Sequence, residues 1–110
     1  MKFIKEETEL EQELKDKFNE TEAIIDVVSD IMNENDFSIE NKLNGIAFNR
    51  TLKRDDYDID CQFYIDTLKN TYSTYVTSNS EDNTVNYTQK GQLKDAEKAA
   101  ISFINYIDTL

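Results

Sequence analysis

The stretch "RDDYDIDCQFYID", residues 54–66, alternates between polar and apolar side chains over most of its length. In an extended chain, alternate side chains point to opposite sides. One side of this stretch carries Tyr57, Ile59, Cys61, Phe63 and Ile65. The other side carries Asp56, Asp58, Asp60, Gln62, Tyr64 and Asp66. The pattern predicts a strand with one buried face and one face open to solvent.

Three neighbouring segments are predicted to form the rest of a sheet. The segments "LNGIAFNRTL" (43–52), "TYSTYVT" (71–77) and "TVNYTQ" (84–89) contain many of the β-branched and aromatic residues that strands favour. The links between the segments are short and rich in turn-forming residues, which favours antiparallel hairpins. A turn around residues 69–70 would place Tyr64 and Tyr75 near each other on the open face. The expected sheet is a four-stranded antiparallel meander.

Helices are predicted on both sides of these strands in the sequence. Apolar residues recur at helical spacing in the first third, at Leu10, Leu14, Phe18, Thr21, Ile25, Val28 and Met32. This segment, 8–34, is either one long helix or two short helices broken near Asn19. The last segment, 91–110, has a helical apolar face at Leu93, Ala96, Ala100, Phe103 and Ile107. The expected fold is one α+β domain, 1–110, with the helices on one face of the sheet.

The charge balance indicates which kinds of partner the chain attracts. The sequence has 12 Lys and Arg against 23 Asp and Glu, a net charge of −11, and residues 1–36 alone hold twelve acids and four bases. Such a field repels nucleic acid and anionic membranes and attracts basic surfaces. No apolar run approaches the roughly 18 residues of a membrane span. One cysteine and no histidine leave no disulfide within the chain and no zinc ligand set.

The aspartates do not fit a metal site or a catalytic site. Asp56, Asp58 and Asp60 match the start of a calcium loop, but the glycine and the glutamate that such a loop requires are Cys61 and Thr67 here. Carboxylates on the polar face of a strand stay ionised, and there is no histidine to act as a base. Cys61 falls on the apolar face, where a cysteine behaves as a small hydrophobe. We therefore expect no metal, no cofactor and no enzymatic activity.

The open face has a functional and a structural interpretation. Alternate carboxylates on a strand stand about 6.8 Å apart, an interval comparable to that between phosphates along a nucleic-acid strand. Tyrosine is also enriched at binding hot spots. Alternatively, charges on a strand deter aggregation and aromatic pairs stabilise a sheet. The predicted partner-binding residues are Asp56, Asp58, Asp60, Tyr64, Tyr75 and Asp66.

Composition and element order resemble two groups of known proteins. The order of helices and strands is similar to that of double-stranded-RNA-binding domains, but those domains hold phosphates with lysines, and the acidic charge opposes such contact. A short, acidic, histidine-free α/β chain without Pro or Trp, with Tyr and Asp on its sheet, resembles small phage-encoded anti-CRISPR proteins. This resemblance spans the whole chain, contains no shared motif and assigns no residue.

The anti-CRISPR resemblance implies a protein that inhibits a nucleic-acid-binding effector by occupying its basic surface, in some cases as a nucleic-acid mimic. The expected partner is then a basic protein surface, with no direct contact to nucleic acid or membrane. The expected location is the cytoplasm, that of the host cell if a phage encodes the chain. The chain itself would be a monomer or a homodimer. Two alternatives remain: an immunity protein or antitoxin against a basic toxin, and an oligomerising structural or regulatory domain.

Overall fold

The computed structural model describes residues 19–80 and 84–110. Helix α1 is described over residues 19–34. Five strands follow: β1 (Ser38–Lys42), β2 (Gly45–Lys53), β3 (Asp58–Asp66), β4 (Thr71–Ser78) and β5 (Asn86–Gln92). A 3-10 turn, Leu93–Asp95, leads into helix α2 (Ala96–Asp108). The predicted α+β fold, with an antiparallel sheet between an N-terminal and a C-terminal helix, is confirmed.

The predicted number of strands is wrong, because the sheet has five strands and not four. The strands lie in sequence order, β1-β2-β3-β4-β5, and each pairs antiparallel with the next. The missed strand is β1, in which all five residues are exposed. Ile39 is its only apolar residue, so β1 shows no alternation. Its position comes from β2, to which it is joined by a two-residue turn that places Lys42 opposite Gly45.

The core lies between one face of the sheet and both helices. Phe103 of α2 is fully buried, and its ring centroid lies 5.7 Å from those of Phe37 and Phe63. From α1, Val28 and Met32 are fully buried in the same cluster. The predicted apolar face of the last segment is confirmed, since all five of its residues are buried: Leu93 in the 3-10 turn and four residues in α2. Burial of each large apolar side chain contributes about 1.5–3 kcal/mol.

Three residues of the predicted α1 face, Leu10, Leu14 and Phe18, lie outside the described residues. The alternatives of one continuous helix or two short ones also concern the chain before residue 19, outside the described part.

Two strand boundaries differ from the prediction for local reasons. The Arg54 N–H donates to the Tyr57 carbonyl oxygen at 2.9 Å, which closes a bend over residues 55–56, so β3 begins only at Asp58. At the other end, β5 continues through Gly91 and does not stop at residue 89. The Leu93 N–H donates to the Asn70 carbonyl oxygen at 2.9 Å, which extends the pairing of β4 and β5 to the start of α2.

Candidate functional site

The face of the sheet opposite the helices is the candidate site, and we call it the open face. It is formed by the even-numbered residues of β3 together with their neighbours in adjacent strands. Asp60 lies opposite Thr77, Gln62 opposite Tyr75, and Tyr64 opposite Ser73. As predicted, even-numbered residues of β3 share this face with odd-numbered residues of β4. Tyr64 and Tyr75 are not directly opposite each other but lie diagonally across the two neighbouring strands.

Asp56 does not belong to this face. It is exposed in the bend that precedes β3, outside the ladder between β2 and β3. The predicted regular row of three aspartates is therefore a pair, Asp58 and Asp60, followed by Gln62. Alternation continues through residue 56 in the sequence, but the strand does not, because the chain folds back at this bend.

Asp58 and Asp60 already have partners within the chain. The Lys53 ammonium lies 3.1 Å from the Asp58 carboxylate. The Asp58 N–H donates to the Asn79 side-chain oxygen at 2.8 Å. Asp60 accepts a hydrogen bond from the Thr51 hydroxyl at 3.0 Å and has no cation partner among the described residues. A basic partner would have to compete with Lys53 at Asp58, but not at Asp60.

Asp66 has a structural role at the far end of β3. One of its carboxylate oxygens accepts the N–H groups of Leu68 and Lys69, at 3.0 and 2.9 Å. These bonds close the turn between β3 and β4, which ends at Asn70 with a positive φ of 56°. Asp and Asn favour such turns because their short polar side chains bond the nearby backbone. The turn therefore gives a structural reason for an aspartate at position 66, one that does not require a binding partner.

The two tyrosines differ in how much of them a partner can reach. Tyr64 is half-buried and lies opposite Ala47, which is fully buried although it is on the open face. The Tyr64 hydroxyl also lies close to Gly45, where an added Cβ would be 2.9 Å from it. Tyr75 is 50% exposed in the middle of the sheet. Of the two, Tyr75 offers more of its ring to a partner.

Asp60 and Tyr75 flank a shallow hollow in the open face, which we call the Asp60 hollow. Its volume is about 250 Å³. The neighbouring Gln62 amide donates to the Asn49 side-chain oxygen at 2.9 Å, which fixes two of the polar groups that line it. The full lining is Asn49, Arg50, Thr51, Asp60, Cys61, Gln62 and Tyr75. Sequence alternation identified the face but not this hollow, since the hollow depends on three strands in register.

The charge of the open face is nearly balanced, and the acidic excess lies elsewhere. Four acids of the face, at 40, 58, 60 and 66, are opposed by three lysines, at 42, 53 and 90. By contrast, residues 19–36 include six acids and no base. All six are exposed, and no Lys or Arg of the described chain forms an ion pair with any of them. They are Glu20, Glu22, Asp26, Asp30, Glu34 and Asp36.

Four of these acids form a line along α1. Glu22, Asp26, Asp30 and Glu34 follow one another at intervals of four residues. Residues four apart lie on the same side of a helix, about 6 Å apart along its axis. Like charges at this spacing destabilise a helix by about 0.2–0.5 kcal/mol per pair. The line concentrates negative charge on the helical side of the molecule.

Cys61 is in the core and not in a reactive setting. Its side chain is 2% exposed and faces the helices. Burial raises the pKa of its thiol to about 11, against an opposing effect of Arg50. Thiolates, and not thiols, act as nucleophiles. Cys61 therefore serves packing.

Two further properties concern the described residues as a group. Nowhere in 19–80 or 84–110 do three His, Cys, Asp or Glu side chains come together as a set that could hold a metal ion. Neither helix, over its described length, combines the length and hydrophobicity needed to cross a bilayer.

Comparison of the chain with protein-family models, with curated proteins and with solved structures gives no match.

Proposed function

We propose that this chain is a non-enzymatic acidic binding protein that inhibits a nucleic-acid-binding effector by occupying its basic surface. In this mechanism the chain competes with nucleic acid for the same lysines and arginines. The proposal combines a local contact site on the open face with a long-range field from α1.

The Asp60 hollow is the observation that carries the proposal. It presents a carboxylate with no cation partner in the described chain beside a half-exposed tyrosine ring. A guanidinium group pairs well with both groups, since it bonds carboxylates through charged N–H donors and stacks on aromatic faces. A carboxylate has about four acceptor positions, so the Thr51 hydrogen bond leaves Asp60 free to accept more.

The acids of α1 support the proposal in a different way. They lie on the helical side of the molecule, so they do not share a flat contact surface with the Asp60 hollow. Their field acts at a distance: it attracts a basic partner and speeds its approach, and salt weakens this effect. Local contacts at the hollow would instead determine how slowly the complex dissociates.

A matched pair of substitutions separates these two contributions. Asp60→Lys and Asp30→Lys each change the net charge by the same amount, from −11 to −9. The partner is first captured from a host lysate with the intact chain and identified by mass spectrometry. Binding of both variants to the purified partner is then measured, in the absence and in the presence of the nucleic acid that the partner binds.

We expect Asp60→Lys to weaken binding by roughly a hundredfold, mainly through faster dissociation. Asp30→Lys should weaken it by a few-fold, through slower association.

Three outcomes would contradict the proposal. Equal weakening by both variants would mean that the hollow makes no specific contact. Affinity that does not change with salt would contradict the electrostatic mechanism. A captured partner whose nucleic-acid binding is unaffected by the chain would exclude competition, and a secreted toxin as the partner would favour the immunity-protein alternative.

A further inference from the structure

β1 is an edge strand of the sheet, and no described residue pairs with its outer side. Its five residues are all exposed, and β2 is the only strand of the described chain that pairs with it. An edge strand carries a line of unpaired N–H and C=O groups that another strand can bond. Of the features that protect natural edges, β1 has charged side chains, Glu40 and Lys42, but no proline and no bulge: its register with β2 is unbroken over all five residues.

The hydrogen bonds of neighbouring strands identify which groups of β1 are unpaired. The Thr67 N–H donates to the Asn44 carbonyl oxygen at 2.9 Å, so residues 44 and 67 are a hydrogen-bonded pair at the end of the ladder between β2 and β3. In an antiparallel ladder such pairs recur at every second residue. Even-numbered residues of β2 therefore bond to β3, and odd-numbered residues bond to β1. In β1 the residues opposite those odd positions are 38, 40 and 42. Ile39 and Asn41 consequently direct their backbone groups away from the sheet.

These positions restrict how two copies of β1 can pair around a two-fold axis. A pairing centred on Glu40 or on Lys42 places like charges opposite each other, which is destabilising. A pairing centred on Ile39 places Glu40 opposite the uncharged Ser38, and Lys42 would face Asp36, which lies in the turn before β1 and has a positive φ of 65°. A pairing centred on Asn41 places Glu40 of each copy opposite Lys42 of the other copy, which gives two pairs of opposite charge.

The same register also pairs the exposed apolar side chains. Ile39 is 50% exposed and Leu43, in the turn after β1, is 99% exposed. With Asn41 at the centre, Ile39 of each copy lies opposite Leu43 of the other. Glu40 and Lys42 already attract each other within one strand, at 2.7 Å, and both remain exposed there. In the pairing, each gains a second partner of opposite charge.

We propose that β1 pairs antiparallel with β1 of a second copy of this chain, centred on Asn41, to form a homodimer with a continuous ten-stranded sheet. The two open faces then form one surface that carries two Asp60 hollows. The proposal is independent of the proposed function, since it depends on the edge and not on the hollow.

Proline substitution tests the edge directly. Asn41→Pro removes an outward N–H without removing a bond to β2, a position at which an edge strand tolerates proline. Thr88→Pro is the matched control, because residue 88 directs its N–H outward from the opposite edge strand, β5. Sedimentation of the full-length chain should give a mass of twice 12.8 kDa for the unmodified protein and for Thr88→Pro. Asn41→Pro should raise the dimer dissociation constant by at least about tenfold, with an unchanged circular dichroism spectrum.

Charge exchange tests the register. Glu40→Lys and Lys42→Glu should each raise the dissociation constant by roughly tenfold. The double variant, with both changes in one chain, should regain the original affinity, and a mixture of the two single variants should form heterodimers. All of these residues are exposed, so the variants should fold normally.

The proposal would be overturned if the unmodified chain sediments as a monomer at about 100 μM, well above the micromolar range of modest interfaces. A dimer that Asn41→Pro leaves intact would also overturn it. If the double charge exchange does not restore dimerisation, the register centred on Asn41 is wrong.

Discussion

Single residues on the open face differ in what their oxygens already accept. Asp66 accepts two backbone N–H groups, Asp58 is paired with Lys53, and Asp60 accepts only the Thr51 hydroxyl among the described residues. Sequence alternation placed all three on one face correctly. It did not distinguish them, because the distinction arises from partners on another strand or in a turn. Asp60 emerges as the candidate contact residue only when these partners are known.

Cys61 gives a prediction about pH at the same scale. Its thiol pKa is raised from 9.0 to about 11 by burial. Below about pH 9 the thiol is protonated in both the folded and the unfolded chain, so it adds no pH dependence. Between about pH 9 and 11 the unfolded thiol loses its proton while the folded one keeps it. The free energy of unfolding should therefore fall with rising pH in this range, by about 1.4 kcal/mol per unit.

The measurement is urea unfolding of the unmodified chain and of Cys61→Ala from pH 7 to 10.5. All other titratable groups are the same in both proteins, so their effects cancel in the difference. The difference in free energy should be constant up to about pH 9 and should then decrease. A constant difference over the whole range would mean that the thiol is accessible to water in the folded state.

At the scale of elements, periodicity predicted the segments that bury one face. The strand β3 and the helix α2 both have apolar side chains at the spacing of their secondary structure. The residues of these two elements that were predicted to face the core are buried, and α2 also buries Ala99 and Ile104. β1 could not be predicted in this way, because an edge strand that buries no side chain leaves no hydrophobic pattern. Its location depends on β2 and on the turn between them.

The helix α2 provides a test of how the layers are held together. Phe103 contacts Phe37, Phe63 and Tyr87, with ring-centroid distances of 5.7, 5.7 and 6.2 Å. Phe103→Ala should lower the free energy of unfolding by about 3–5 kcal/mol, because it leaves a cavity between helix and sheet. Ile101→Ala is the control on the same helix, since Ile101 is 47% exposed, and it should cost less than about 1 kcal/mol. Chemical denaturation of both variants tests this, and similar losses would contradict the described packing.

For the whole molecule, the relevant feature is the uneven distribution of charge. The sequence predicted a strongly acidic first third, and the described part of α1 agrees with this. The near balance of the open face was not predicted, because the lysines at 42, 53 and 90 come from three different strands and meet the aspartates only in the folded sheet. Composition reports the total charge, whereas register determines where it is neutralised.

This distribution predicts that salt stabilises the folded chain. Raising the ionic strength from about 0.01 M to 0.15 M shortens the Debye length from about 30 Å to about 8 Å. Repulsion along the line of Glu22, Asp26, Asp30 and Glu34 should weaken, and the melting temperature should rise. Asp30→Lys replaces two repulsive pairs by two attractive ones, so it should melt higher than the unmodified chain at low salt, with a smaller gain from added salt. Scanning calorimetry at both ionic strengths measures the melting temperatures. If added salt raises the melting temperature equally in both proteins, the repulsion does not come from this line of acids.

The strictly sequential order of the strands has a consequence for folding kinetics. Each hairpin closes a short loop, so the sheet can assemble from neighbour to neighbour in small, fast steps. The contact between Phe37 and Phe103 closes a much longer loop, and it must wait until α2 docks. A chain with its hairpins formed and α2 not yet docked would expose the apolar face of β3 together with the outer edge of β1. Both surfaces favour association between chains, so we expect conditions that slow helix docking to lower the yield of refolding.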